Sequence, residues 1–414
     1  MGARLLRHWL LAPLLDKGAI DARLDAVGAL VGDSLARGAL REALDGVRDV
    51  ERLASKAAAG RATPRELGAL GSSLAQLPRV AGAIAHLADF GALGGIAGRW
   101  DSCPDLAEAI AATLVDRPPP AIGDEDAIRP GVDASLDELR ALRDGGRDAI
   151  ANIQSAERER TGITSLKVGY NRVFGYFIEI TNANRHLIPD DYQRRQTLTG
   201  AERYVTPALK TYEEKVLTAT ERIEVREREL FEALRVRIGG AIRRLQDAAS
   251  LVAQLDVLAT LAEVASAERY VRPEITTGYD LDIVGGRHPV VERMMPRDKF
   301  IPNDVQLTDD ARMIILTGPN MAGKSTILRQ IGLIALIAQV GSFVPATRAT
   351  IGVMDRIFTR VGRATTWCAG SRRSWWRWPK RAPSCTRRPS GRWCCWTRSG
   401  AGRRRMTAYR SRGR

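Results

Sequence analysis

The segment "RMIILTGPNMAGKSTILRQIGLIALIAQVG", residues 312–341, decides the fold of the second half of this chain. "MIIL" is a short apolar run of strand length, "TGPNMAGK" is a glycine-bearing loop, and "STILRQIGLIALIAQ" has the length and composition of a helix. Gly318 to Ser325 match G-x-x-x-x-G-K-[ST]. Glycines let successive backbone N–H groups turn toward phosphate oxygens, and the helix N-terminus adds a partial positive charge. Lys324 has the reach for β- and γ-phosphates, and the Ser325 hydroxyl is a Mg²⁺ ligand by type. Strand, loop and helix in that order make a chance glycine-rich turn a poor alternative. The stretch predicts a nucleotide-binding loop.

Upstream the pattern is helical. Residues 1 to about 115 are rich in Ala, Leu, Arg and Glu, with apolar residues at helical spacing, such as Ile20, Leu24, Val27 and Leu30. "DRPPPAIGDEDAIRPG", 116–131, reads as a linker, and helix resumes after it. Then the period changes. "TSLKVGYNRVFGYFIEITN", 164–182, alternates and is rich in Val, Ile, Phe and Tyr, which predicts two strands joined at "YNRV". About 60 residues of helical pattern follow, with Val216, Ile223 and Leu230 at heptad spacing and Gly239-Gly240 as the expected break. Strands set between long helices predict a β-rich tip on a helical stalk. From about residue 271 Pro, Gly and β-branched residues increase, and a new domain begins.

The formal charge of +15 invites a nucleic-acid reading, but it is misplaced. Residues 363–414 hold 15 Arg and one Lys with no Asp or Glu, which leaves 47 basic against 48 acidic residues in 1–362. The same 52 residues hold six of eight Trp and four of five Cys. A single Cys in the first 362 residues implies no disulfide framework, and no continuous 18-residue apolar run is present. The expectation is a cytoplasmic protein with no membrane partner.

The filling of the loop points further. "TGPNMAGKST" resembles the phosphate loop of the MutS family of DNA mismatch-repair ATPases. "GRHPVVE" (286–292) and "FIPND" (300–304) resemble the start of that family's ATPase domain, "LKVGYNRVFGYFIEIT" its DNA-clamp strands, and "QTLTGAERYVTPALKTYEEKVL" the descent from clamp to lever. "ARLLRHWLLAPLLD" and "IDARLDAV" resemble the start of its helical core, so the resemblance spans 1–362 in family order.

The resemblance implies a multidomain fold that is mainly an α-helical core and lever with an inserted β-rich clamp. The first half of an α/β P-loop (ABC-type) ATPase domain and a disordered tail complete it. The expected parts are helical core 1–125, lever helix and clamp 126–205, long lever helices 206–268, the N-terminal half of the ATPase domain 269–362, and tail 363–414. Gly318, Pro319, Asn320, Met321, Ala322, Gly323, Lys324, Ser325 and Thr326 would bind ATP, with Ser325 on Mg²⁺. Ala322 stands where Gly is common, and a methyl there is expected to be tolerated. Phe300 and Ile301 would pack on the adenine, the alternative for Phe300 being a core aromatic. Arg185, Arg194, Arg195 and Arg203 would meet DNA phosphates without sequence preference, and each is as readily a solvated surface charge. The implied partners are mismatched double-stranded DNA, a MutL-type protein and a second copy of the chain. Bacterial cytoplasm is the implied compartment, with nucleoid association when on DNA. "FIE" at Phe177–Glu179 is not the family's mismatch-reading Phe-x-Glu, because it lies in an alternating clamp strand. The mismatch-reading and connector domains are expected to be absent, since the sequence begins inside the helical core.

After "DRIFTRVG" (355–362) the resemblance stops. The genetic code offers a test of the reason. Trp393-Cys394-Cys395-Trp396-Thr397 is encoded TGG TGY TGY TGG ACN, and reading from the third base gives GTG YTG YTG GAC, Val-Leu-Leu-Asp for every codon choice. Apolar residues ending in Asp form a Walker B strand, the Mg²⁺-holding partner of a phosphate loop. "SRRSWWRW" permits Gln-Ser-Thr-Phe-Met-Val-Glu-Met in the same frame. One base is therefore inferred to be missing near codons 362–364. Adjacent Cys394 and Cys395, with no C-x-x-C and no following His, fit a metal site poorly. The literal chain, with no in-frame catalytic carboxylate, is expected to hydrolyse ATP poorly or not at all. The rival readings are a non-catalytic remnant with at most weak DNA or nucleotide binding, and a MutS paralogue acting on recombination intermediates or ribosomes. The second rival typically lacks a full clamp.

Overall fold

The computed structural model describes residues 1–171, 175–197, 200–294, 296, 299–308, 310–317, 319 and 323–359, and the backbone of 393–399 and 405–411. The chain divides into two compact units. One comprises Met1–Glu51, Gln76–Ser102 and Gln246–Arg414, the other Arg52–Ala75 and Cys103–Leu245.

In the first unit, short helices are started by aspartates. Asp16 accepts from the Ala19 N–H ahead of helix Lys17–Gly32, and Asp33 from the Ala36 N–H ahead of helix Ser34–Asp45. Each cap satisfies a backbone donor that the helix itself cannot. Leu24, Val27 and Leu30 of the first of these helices join Leu255 and Leu258 of helix Ile242–Glu268 in one apolar core. The same core takes Ile331, Ile334 and Ala338 of helix Lys324–Val340, so the helix after the glycine-bearing loop is anchored on the helical bundle. Helix Ile242–Glu268 is long and apolar enough to cross a membrane by length and composition, but 61% of its apolar window is buried inside the protein, as befits a core helix.

Twelve strands, β1–β12, occur among the described residues. In this unit β5 (Glu274–Thr276), β9 (Arg348–Gly352), β6 (Leu281–Gly286) and β7 (Asn303–Leu307) form one sheet in that order. A second sheet has the order β10 (Arg356–Thr359), β11 (Trp393–Ser399), β12 (Arg405–Ser411) and β8 (Met313–Leu316). β10 and β11 are parallel, and β12 runs antiparallel to both β11 and β8.

This second sheet corrects the expectation of a wholly disordered tail. Residues 393–399 and 405–411 pair through their backbones with β10 and β8. The physical reason is that a ladder is made by N–H and C=O groups and does not depend on reading frame. Trp, Cys, Thr and Tyr also favour strands, and open edges such as those of β8 and β10 recruit partners. The remainder of 363–414 lies outside the described residues. β8 still buries only one face. Ile314 and Leu316 pack on the core, whereas Met313 is 56% and Ile315 50% exposed.

In the second unit, β1 (Lys167–Asn171), β2 (Gly175–Thr181), β4 (Ala201–Val205) and β3 (Gln193–Thr197) form an antiparallel sheet in that order. Its inward face packs Ile178, Ile180 and Tyr204 against Ile163, Leu166 and Leu209. Thr206 then caps helix Pro207–Gly240, accepting from the Leu209 N–H with Pro207 in the first turn. The predicted heptad positions are corrected here. Ile223 is buried, but Val216 and Leu230 are only half-buried. The buried seam runs Leu209, Tyr212, Ala219, Ile223, Glu227, Phe231, Leu234 and Ile238. That spacing follows the ~3.6-residue turn of a straight helix, and a seven-residue repeat drifts off such a seam.

Candidate nucleotide-binding loop and clamp surface

The loop is built by its two flanks. β8 delivers the chain to its start, and Gly323, at φ +76°, turns it into helix Lys324–Val340. A non-glycine residue pays for that left-handed conformation. The first turn closes when the Thr326 and Ile327 N–H groups donate to the Gly323 carbonyl at 2.9 and 3.0 Å. Among the described residues no side chain caps this N-terminus. Its dipole therefore faces the loop without a carboxylate or hydroxyl from the chain's own cap. The Lys324 ammonium folds back and donates to the Pro319 carbonyl. Ser325 is exposed and Thr326 half-buried. Gly318, Asn320, Met321 and Ala322 lie outside the described residues.

The far end of the same helix is fixed tightly. Gly341 ends it at φ +91°, and a Cβ there would sit 2.4 Å from the Arg23 Cβ. Arg23 donates to the Val340 carbonyl at 3.0 Å and lies over the Trp9 ring. Burial lowers its pKa to about 10. Buried Gln339 donates to the Leu14 and Met354 carbonyls at 3.0 and 2.9 Å and accepts from the Met354 N–H at 3.1 Å. The helix is thus held in position at its C-terminal end, and its N-terminus is left to face the loop.

Of the two residues expected on the adenine, Ile301 is 81% exposed and Phe300 half-buried, just ahead of β7. His288 in "GRHPVVE" is buried, and its Nδ1 accepts from the Val290 and Val291 N–H groups at 3.3 Å each. That geometry holds the imidazole neutral with its proton on Nε2. Burial holds its pKa below the ordinary value, with Arg329 adding to the effect.

The four clamp arginines do not form one patch. Arg203, on β4, faces the side of the sheet that carries Phe177 and Glu179 of β2. It donates to Glu179 and to Gln196 at 3.0 Å each and lies 4.2 Å over the Phe177 ring. "FIE" accordingly lies within β2, with its Phe covered by an arginine. Arg185, in the turn Asn182–Leu187, and Arg194, on β3, converge on Glu202 at 3.6 Å each. Arg195 is exposed at an irregularity in β3. Sequence reasoning missed Glu202. The signal was present in "AERYV", where alternation puts a carboxylate on the same face as Tyr204.

Comparison with known proteins identifies the family, and the match runs to residue 373, past Gly362 where the resemblance was expected to stop. The family model for MutS domain III matches residues 1–262, and that for MutS domain V matches residues 314–373. The DNA mismatch repair protein MutS of Salinibacter ruber is 53% identical over 372 residues, covering 89% of this chain and 41% of that protein. Its namesake in Myxococcus xanthus is 48% identical over 373 residues, 89% of this chain and 42% of that protein. The one in Pelotomaculum thermopropionicum is 47% identical over 363 residues, 87% and 42%. The chain thus spans about two-fifths of the length of the relatives it matches.

Proposed function

The chain belongs to the MutS family, and from that premise we propose that it carries the DNA-clamping and nucleotide-binding parts of a mismatch-recognition ATPase. The single observation that supports this best is the order of β8, Gly323 in a left-handed turn, and a helix N-terminus with the Lys324 ammonium folded over the loop. These groups fit a triphosphate. The cation neutralises phosphate charge, and the helix N-terminus offers N–H donors along its dipole. Ser325 is the residue that would hold Mg²⁺, and Phe300 and Ile301 would flank the base. When bound, ATP with Mg²⁺ supplies a phosphoanhydride whose exchange and cleavage drive changes of state. The chain's own contribution is to bind and orient it.

Cleavage asks more of the protein than binding does: a carboxylate to anchor the metal and another to orient water. Residues 363–414 contain no Asp or Glu, so β11 brings none into the sheet that carries β8. That observation favours the second reading, a chain that binds nucleotide and turns it over poorly. We attribute the loss to the missing base inferred near codons 362–364. The four-stranded clamp argues against the paralogue that acts on recombination intermediates or ribosomes. Mismatched duplex DNA, a MutL-type protein and a second copy are the partners this reading implies.

Equilibrium titration with a fluorescent ATP analogue tests it. Saturable binding that Lys324→Ala weakens about tenfold or more is expected, since a charge-assisted phosphate contact is lost. Binding that is absent, or indifferent to Lys324→Ala, refutes the assignment.

A further inference from the structure

β4 places Glu202 and Tyr204 two residues apart on the inward face of the clamp sheet, and Glu202 is only 3% exposed. One of its oxygens accepts from the Tyr204 hydroxyl. The other lies 3.6 Å from Nη1 of Arg185 and 3.6 Å from Nη1 of Arg194. The tyrosine bond first, and then the two guanidiniums, hold the carboxyl below its usual range against the opposing effect of burial. It is therefore an anion at neutral pH. The arginines come from different elements, the turn Asn182–Leu187 and β3, yet both are aimed at a single oxygen. Their Nη1 atoms consequently lie within about 7 Å of each other. Each keeps more than half of its side chain in solvent, 62% and 56%.

Two neighbouring cations on long side chains repel and wander unless something holds them. A buried anion behind them removes both problems, leaving a net charge of +1 facing solvent. We propose that Glu202 is the positioning residue of a two-arginine site for one DNA backbone phosphate, with Arg185 and Arg194 as its donors. This rests on the reading of the clamp as a DNA-binding surface. Preorganised side chains lose less freedom on binding, so the carboxylate raises affinity although its charge repels DNA. The alternative, in which Glu202 acts only as a like charge, predicts the opposite sign.

The test is binding of the full 414-residue chain to a fluorescein-labelled 30-base-pair duplex across a salt series. Glu202→Gln keeps the shape and the acceptor for Tyr204 while removing the charge. It is expected to bind about tenfold more weakly despite one more net positive charge. The slope of log K against log salt should shrink by about one phosphate contact. Arg185→Ala with Arg194→Ala should weaken binding at least as much, and adding Glu202→Gln in that background should change nothing further. Equal or tighter binding by Glu202→Gln, with the arginine pair still weakening it, overturns the positioning role and leaves the clamp reading standing. A Glu202→Gln loss that persists undiminished without the arginines also overturns it, because the effect is then structural. Duplex binding indifferent to the arginine pair removes the clamp reading at this surface, and the proposal with it.

Discussion

At the scale of single residues, the informative positions are those where an ordinary preference is broken for a visible reason. Gly323 and Gly341 bracket the phosphate-loop helix in left-handed conformations, one opening toward the loop and the other pressed against Arg23. His288 is the titrating counterpart. Its folded pKa is depressed by burial, so the folded state binds fewer protons than the unfolded one in that window. Stability from this group is complete above the ordinary imidazole value of about 6.5 and is lost as pH falls through the depressed folded value. Urea midpoints should therefore drop between pH 7 and 5, and His288→Asn should flatten that part of the profile. A parent and variant with parallel profiles would show that His288 does not carry the dependence. At this scale the sequence marks Lys324, Ser325 and Gly323 as candidates, because G-x-x-x-x-G-K-[ST] is a local motif. It did not expose Glu202, whose role depends on Arg185 and Arg194 arriving from two other elements.

At the scale of elements, helix Pro207–Gly240 shows what periodicity can and cannot fix. The helix was legible from its cap, length and composition. Its buried face was not, because several apolar residues compete and the packing partner decides. That face contains a charge: Glu227 is 1% exposed, accepts from Arg140 at 2.5 Å, and takes the Ala127 and Ile128 N–H groups at 3.1 and 3.3 Å. Arg140 also donates to the Ile128 carbonyl at 2.9 Å. The pair joins the long helix to helix Ala134–Asp144 and the loop before it. Removing Glu227 leaves the buried Arg140 only its longer ion pairs, to Asp126 at 3.3 Å and Asp137 at 3.8 Å, so Glu227→Ala should cost about 3 kcal/mol in chemical denaturation. Replacing both, with Glu227→Leu and Arg140→Met, should recover only part of that loss, because the buried Ala127 and Ile128 N–H groups lose their acceptor. A loss under about 1 kcal/mol for Glu227→Ala would mean that water already satisfies the pair. The strands β11 and β12 are the opposite case. Their residues read as out-of-frame noise, yet their backbones complete a sheet whose neighbours were already in place.

At the scale of the whole molecule, the chain joins a helical region bearing an antiparallel sheet to a glycine-bearing loop, and its last 52 residues contain no Asp or Glu. Family membership was legible because the motifs stand in order along the chain, and the two domain models match residues 1–262 and 314–373. What the order of motifs could not give is competence, which asks for carboxylates that the last 52 residues do not contain. The central claim is that the loop binds ATP and turns it over poorly or not at all. The most direct measurement is steady-state phosphate release by the purified 414-residue chain with saturating ATP, Mg²⁺ and duplex DNA, beside its Lys324→Ala variant. The account predicts two indistinguishable background rates from chains that differ in nucleotide binding. Turnover that the Lys324→Ala substitution abolishes would contradict it.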